Sequence, residues 1–293
     1  MPSRTEPPAQ AYTLSKGRRL DVHEYGDARG IRVLFFHGWP SSGTQGELID
    51  AAARKLGMRI IAPSRPGLSE STFVPDRQLL DWPGDVVALL DQMQLKQVHL
   101  LAVSGGAPYA LICAAKIPER LLRVGIVSGA THPDFLLKSR EVLIIYRLLI
   151  KLYLTSPGVC LRLLALTARG VPLPVAQFLM PLFTPFLAQA DRTAMKDKEK
   201  LRLILNSIHA ARKMGGKGIA HDGTRYAQDW GFALESISMP VQLWHGTQDR
   251  NIPIHTVREE CQRMHHATLT EFPDEGHYSL PLNHTEQVLR HFL

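Results

Sequence analysis

The chain has 293 residues, 45% of them hydrophobic and 21% charged, a composition that builds a sizeable core and excludes a disordered or fibrous protein. Its formal charge of +7 is scattered among acids, so a basic surface is expected and a nucleic-acid partner is not. Cys113, Cys160 and Cys261 are odd in number and far apart, which argues against a disulfide framework or zinc site and makes a reducing, cytoplasmic setting the expectation.

Residues 1–10 are polar and Pro-rich, as expected of a frayed tail rather than a secretory signal or anchor. Residues 12–14 and 19–25 alternate enough to be paired strands around a Lys16-Gly17 turn. Residues 31–36 are a nearly continuous apolar run, the mark of a strand buried on both faces. It ends in His37-Gly38-Trp39-Pro40, and Ser41, Ser42 and Gly43 open a predicted helix to about residue 55. A strand over 58–62 leads into the loop Pro63-Ser64-Arg65-Pro66-Gly67-Leu68-Ser69. There follow a helix over 77–93, a strand over 97–103, a helix from Ala107 to near Pro118 and a strand over 124–128. This alternation winds a mostly parallel sheet through right-handed crossovers.

After Gly129 the rhythm changes. Residues 135–214 offer only helix-like apolar stretches broken by Pro157, Pro172, Pro174, Pro181 and Pro185. Strands return at 241–244 and 268–272, with helices over 255–264 and 282–292. The expected fold class is α/β: a mostly parallel, eight-stranded sheet with helices on both faces, its core in residues 1–129 and 237–293 and an all-helical cap in 130–236. Residues 142–154 are apolar but interrupted by Arg147 and Lys151, too short and charged to span a bilayer. They are read as an apolar underside over the sheet's active end, with peripheral lipid contact as the alternative.

The stretch that organises this plan is Ala102-Val103-Ser104-Gly105-Gly106, at a strand-to-helix corner. Small neighbours let the chain fold back sharply and hold one hydroxyl above the end of a sheet. A serine attacks only if a base takes its proton and an acid steadies that base. His277 follows the last strand and Asp249 the strand before it. Loops after parallel strands share one edge, so Ser104, Asp249 and His277 are expected to converge. The plainer readings are Asp249 as a cap for the helix near Pro253, His277 as an ordinary loop histidine, and Asp274 as a rival acid on the same loop. The backbone N–H groups of Gly105 and Trp39 are expected to form an oxyanion hole, with His37 as a hydrogen-bonding strut beneath. Trp39, Tyr146 and Tyr153 are expected to contact substrate, and Tyr226 to be pocket lining or core. No HExxH, CxxC pair, Walker loop or G-x-G-x-x-G occurs, so neither metal nor cofactor is expected.

These residues resemble the α/β-hydrolase superfamily. The likeness is carried by His37-Gly38-Trp39-Pro40, by Ser104-Gly105-Gly106, by Trp244-His245-Gly246 with Asp249, and by Gly276-His277. Ala102 departs from the usual glycine. Within the superfamily the chain is similar to capped bacterial, fungal and plant hydrolases of unassigned substrate, through Gly218-Ile219-Ala220-His221-Asp222 and Trp230-Gly231-Phe232. The resemblance implies a Ser-His-Asp hydrolase with a helical lid and leaves the substrate open. Haloalkane dehalogenases and epoxide hydrolases share an HGxP-like loop but attack through an aspartate, a chemistry closed to Ser104. The expectation is a cofactor-independent serine hydrolase that cleaves a carboxylic ester, thioester or lactone of a mainly hydrophobic small molecule through an acyl-enzyme. Its alternatives are a non-catalytic small-molecule binder of the same fold, or C–C hydrolase or haloperoxidase-type activity on the same three residues. Oligomeric state is left open.

Overall fold

The computed structural model describes residues 10–139, 141–142, 144–168 and 187–293. One eight-stranded sheet has the order β1-β2-β4-β3-β5-β6-β7-β8. Its strands are β1 (Gln10–Thr13), β2 (Arg19–Gly26), β3 (Ile31–Phe36), β4 (Met58–Pro63), β5 (Val98–Val103), β6 (Leu121–Val127), β7 (Val241–Gly246) and β8 (Ala267–Phe272). Only β2 runs against the rest, pairing antiparallel with β1 and β4, while the pairs from β4 across to β8 are parallel. This is the sheet that the hydropathy rhythm predicts. The largest shift of a boundary is at β6, which begins at Leu121 because Leu121 already pairs with Val98.

A strand apolar at successive positions has to be covered on both faces. Leu34 and Phe36 of β3 join one core layer with Leu100 and Ala102 of β5, whereas Val33 and Phe35 join the other with Leu101 and Val127. Residues Val33, Leu34, Phe35 and Phe36 are each at most 1% exposed, and burying each such side chain contributes about 1.5–3 kcal/mol.

The first crossovers run through α1 (Asp50–Lys55), α2 (Trp82–Gln92) and α3 (Ala107–Lys116). Two predicted helices start late. The one expected from residue 43 opens as a 3-10 helix over Gly43–Ile49, since glycine favours helix weakly and Gly46 is pressed against the Tyr25 ring. The one expected over 77–93 is α-helical only from Trp82, after a 3-10 turn at Leu79–Asp81 closed by a reciprocal Gln78–Asp81 capping box.

Between β6 and β7 the described residues form helices only: α4 (Pro133–Lys138), α5 (Ile144–Thr155), α6 (Pro157–Ala168), α7 (Gln189–Ala194), α8 (Lys198–Ala211) and α9 (Gly216–Arg225), beside a 3-10 turn at Leu234–Ser236. Pro157 opens α6 instead of breaking a helix, and Pro172, Pro174, Pro181 and Pro185 lie outside the described residues. After β7 come α10 (Ile254–Arg263), then beyond β8 α11 (Ser279–Asn283) and α12 (Thr285–Leu289). The single closing helix expected over 282–292 is thus divided, because His284 leaves helical geometry at φ −113°. No helix among the described residues is long and apolar enough to cross a membrane.

Candidate active site

Strand β3 has β4 on one side and β5 on the other, so chain direction through the sheet switches here and the loops after β3 and β5 border one crevice. Ser104 follows β5 with φ +50°, a left-handed conformation that a non-glycine residue adopts under constraint. The turn is held by the Ala130 N–H, which donates to the Ser104 carbonyl at 2.9 Å. Gly106 permits it sterically, since a Cβ there would lie 2.3 Å from the Phe36 carbonyl oxygen.

The loops after β5, β7 and β8 meet as expected. Ser104 Oγ lies 2.9 Å from His277 Nε2, and His277 Nδ1 lies 2.7 Å from Asp249 Oδ2. An ionised carboxylate only accepts, so Nδ1 carries the proton and Nε2 is free to accept from the serine hydroxyl. Burial pulls the His277 pKa down, but the charge and hydrogen bond of Asp249, assisted by the charge of Asp191, leave it raised. Burial likewise pushes the Asp249 carboxyl up, yet His277 and His245 together hold it well below the usual carboxylate range. Asp249 also organises its own turn, Oδ1 accepting the N–H groups of Asn251 and Ile252 at 2.8 Å each. These amides precede α10, whose N-cap is Pro253 without a side-chain cap hydrogen bond, so the plainer reading of Asp249 as the cap of that helix does not hold. Asp274 is exposed, and the histidine nitrogen it was to compete for is held by Asp249.

The amide nitrogen of Trp39 lies 3.0 Å from the point where a Cβ on Gly105 would stand, which brings the two residues expected to supply oxyanion donors close together. The Gly38 carbonyl accepts from His37 Nδ1 at 2.8 Å and from Arg65 Nη2 at 3.1 Å, while Arg65 Nη1 donates to the His37 carbonyl at 2.6 Å. The Gly38–Trp39 peptide is planar, so fixing its carbonyl oxygen also aims the Trp39 N–H the other way. His37 is thus the strut the sequence suggests, with Nε2 accepting the Arg65 N–H at 3.3 Å. Burial moves its pKa well below the ordinary histidine value, with the Arg65 charge adding to the effect.

Arg65 is held from behind by Asp222 of α9. The Asp222 carboxylate accepts from Arg65 and Arg77 at 2.9 Å each, from Tyr109 at 2.6 Å and from Tyr226 at 3.1 Å. All three charged groups are at most 2% exposed. Burial alone would raise the Asp222 carboxyl, but the two guanidinium groups hold it far below the usual range. Burial also pushes the Tyr226 phenol well above its ordinary value. Two cations facing one anion leave net positive charge behind the Trp39 loop.

The serine opens into a cavity of about 220 Å³. Its wall includes Leu48, Leu136, Leu149, Ile204 and Leu282, and no Asp, Glu, Lys or Arg among the described residues. Trp39, Tyr153 and Tyr226 line it. The Trp39 indole donates to the Ile219 carbonyl of α9 at 2.9 Å, and the Tyr153 hydroxyl accepts from Gln228. Tyr146 belongs to α5, but its side chain lies outside the described residues. Among the described residues no cluster of three or more His, Cys, Asp or Glu is placed to hold a metal.

Six residues of this constellation have no role in the sequence reading: Arg65, Arg77, Tyr109, Asp191, Asp222 and His245. His245 Nε2 lies 3.2 Å from Asp249 Oδ2 and 2.8 Å from the Ile252 carbonyl. With two acceptors beside it, this nitrogen carries the proton. Asp222 and His245 lie inside motifs that carried the family resemblance, the one available signal.

Residues 33–291 match the profile of a family described as the alpha/beta hydrolase family. An uncharacterized hydrolase of Bacillus subtilis, YcgS, is 24% identical over 257 residues, covering 85% of each chain. A bifunctional esterase/perhydrolase of Acinetobacter calcoaceticus, DCH, is 22% identical over 286 residues, 96% of this chain and 97% of its own. Among solved structures, a bromoperoxidase from Bacillus anthracis superposes with a TM-score of 0.71 at 20% identity, covering 97% of this chain and 99% of that one.

Proposed function

The chain belongs to the alpha/beta hydrolase family, and from that premise we propose a cofactor-independent serine hydrolase that cleaves an ester-like bond of a small, neutral, mainly hydrophobic molecule. The observation that carries this reading is the hydrogen-bonded chain from Ser104 through His277 to Asp249, opening into a cavity whose described wall has no Asp, Glu, Lys or Arg. Ser104 attacks the carbonyl carbon while His277 Nε2 takes its proton, and Asp249 stabilises the imidazolium. The amides of Gly105 and Trp39 receive the oxyanion, with the positive charge around Arg65 and Arg77 behind them. His277 then returns the proton to the leaving alcohol, thiol or enol. Water, activated by the same histidine, releases the acid and frees Ser104.

In this reading residues 130–236 act as a lid, and an uncharged wall disfavours substrates that bring a carboxylate or phosphate under it, since a buried charge needs a partner. The test is a panel of p-nitrophenyl esters, neutral and carboxylate-bearing, assayed with the native protein and with Ser104→Ala. Neutral short esters are turned over best and the variant loses activity by at least about 10⁴-fold. Unchanged hydrolysis by Ser104→Ala refutes the assignment.

A further inference from the structure

Asp191 on α7 is 1% exposed and reaches across to the loop after β8, although 86 residues separate it from His277. Its Oδ2 accepts the His277 N–H at 3.1 Å, and its Oδ1 accepts the N–H groups of Tyr278 and Ser279 at 2.9 and 2.8 Å. The approach is close enough that a Cβ on Gly276 would stand 2.5 Å from each carboxylate oxygen. Three consecutive amides of the histidine loop, leading into α11, are therefore satisfied by one side chain of the inserted helices.

We infer that Asp191 is a positioning residue that couples the seating of the inserted helices to the readiness of His277. The inference rests on the reading of His277 as the base. Charge-assisted bonds to three successive amides fix the backbone from which the imidazole hangs. A displacement of a fraction of an ångström there would carry Nε2 away from Ser104, and orientation errors of that size weaken catalysis. The carboxylate also favours the imidazolium that forms when the serine proton is taken. If the inserted helices lift, both contributions leave with α7, so the base is poised only beneath a seated lid.

The groups facing His277 limit what else could act this way. Asp249 and His245 approach from the β7 side, Ser104 from the β5 turn, Asp191 from α7, and Tyr278 with Asn251 from the adjoining loops. Farther along, Glu275 is engaged with His284, and Lys200 of α8 donates to the Leu282 carbonyl.

The deciding experiment is an NMR titration of the His277 ring, assigned by its loss in His277→Gln, in the native protein and in Asp191→Asn. The amide keeps the size of the side chain and removes its charge, and the His277 midpoint is expected to fall by about half a unit to one unit. In parallel, kcat/KM on a neutral p-nitrophenyl ester is expected to fall about tenfold at neutral pH, mainly through kcat, with the acid limb of its pH profile displaced in the same direction. Gly276→Ala retains every hydrogen-bonding group but thrusts a methyl group against the carboxylate, and gives a smaller shift of the same sign should the first variant not fold. An unchanged His277 midpoint in the folded variant overturns the inference. Because the titration needs no turnover, a native protein inert toward every ester would refute the proposed function while the titration still decides the role of Asp191.

Discussion

Two carboxylates of the inserted helices reach down to the edge of the sheet, and they are held in opposite ways. Asp222 sits between the guanidinium groups of Arg65 and Arg77 with two phenols added. Asp191 meets three backbone amides of one loop. The first belongs to a buried ionic cluster that ties α9 to the loop after β4 and, through Tyr109, to α3. The second is tied to a short stretch of chain and to the histidine it carries. Removing an ion from a closed cluster leaves its partners uncompensated in a poorly solvated interior, whereas neutral amides bereft of an acceptor are less costly. The contrast separates a side of the site where damage falls on the whole fold from one where damage falls chiefly on chemistry.

The largest expected effect belongs to the histidine side. Asp249→Asn removes the acceptor that sets the His277 tautomer and is expected to lower kcat by about 10⁴-fold, with thermal unfolding checking that the fold is retained. Next is Asp222→Ala, which strands Arg65 and Arg77 and is expected to destabilise the protein by about 3–5 kcal/mol in urea unfolding. A loss of activity without loss of stability there would erase the distinction between the two sides. Gly105→Ala follows. Its methyl group would lie 2.6 Å from the Tyr226 hydroxyl and 2.9 Å from Trp39 Cβ, so it should spread the oxyanion donors and reduce kcat by about 10²-fold, leaving the His277 titration unmoved.

The smallest effect comes from a group belonging to neither side. Glu260 of α10 is buried, accepts the His132 N–H at 3.0 Å, and is pushed by burial up to about 8, a rise that this hydrogen bond only partly counters. A raised carboxyl binds more protons folded than unfolded, so its contribution to stability falls as pH climbs from the ordinary carboxylate range to about 8. Glu260→Gln is expected to flatten that decline and raise Tm at pH 9 by about 3 °C. Asp222 and Asp249 have the opposite sign. Their pKa values are lowered by folding, so their stabilisation is present above the ordinary carboxylate range and drains away as pH falls below it.

The side of the site that the sequence reveals is the one built from strand ends. Ser104, Asp249 and His277 each follow a segment that reads as a strand, and parallel strands carry such loops to one edge whatever their separation along the chain. Asp191 and Asp222 follow no such segment. Their partners lie 86 and 157 residues away, and hydrophobic periodicity carries no information about which distant loop a polar side chain will reach. The late starts before α1 and α2 have a more local cause. Apolar spacing locates a helical region, but Gly43 and Gly46 pressing on β2 and β4, and the capping box at Gln78, decide where α-helical geometry begins.

The central claim is that the oxygen of Ser104 becomes covalently bonded to the substrate's acyl group, and a fluorophosphonate probe tests it most directly. Intact-mass analysis with peptide mapping should find one adduct on the folded protein, located on Ser104 and formed far more slowly in His277→Gln. A folded protein that stays unlabelled, or an adduct on any other residue, would contradict the account.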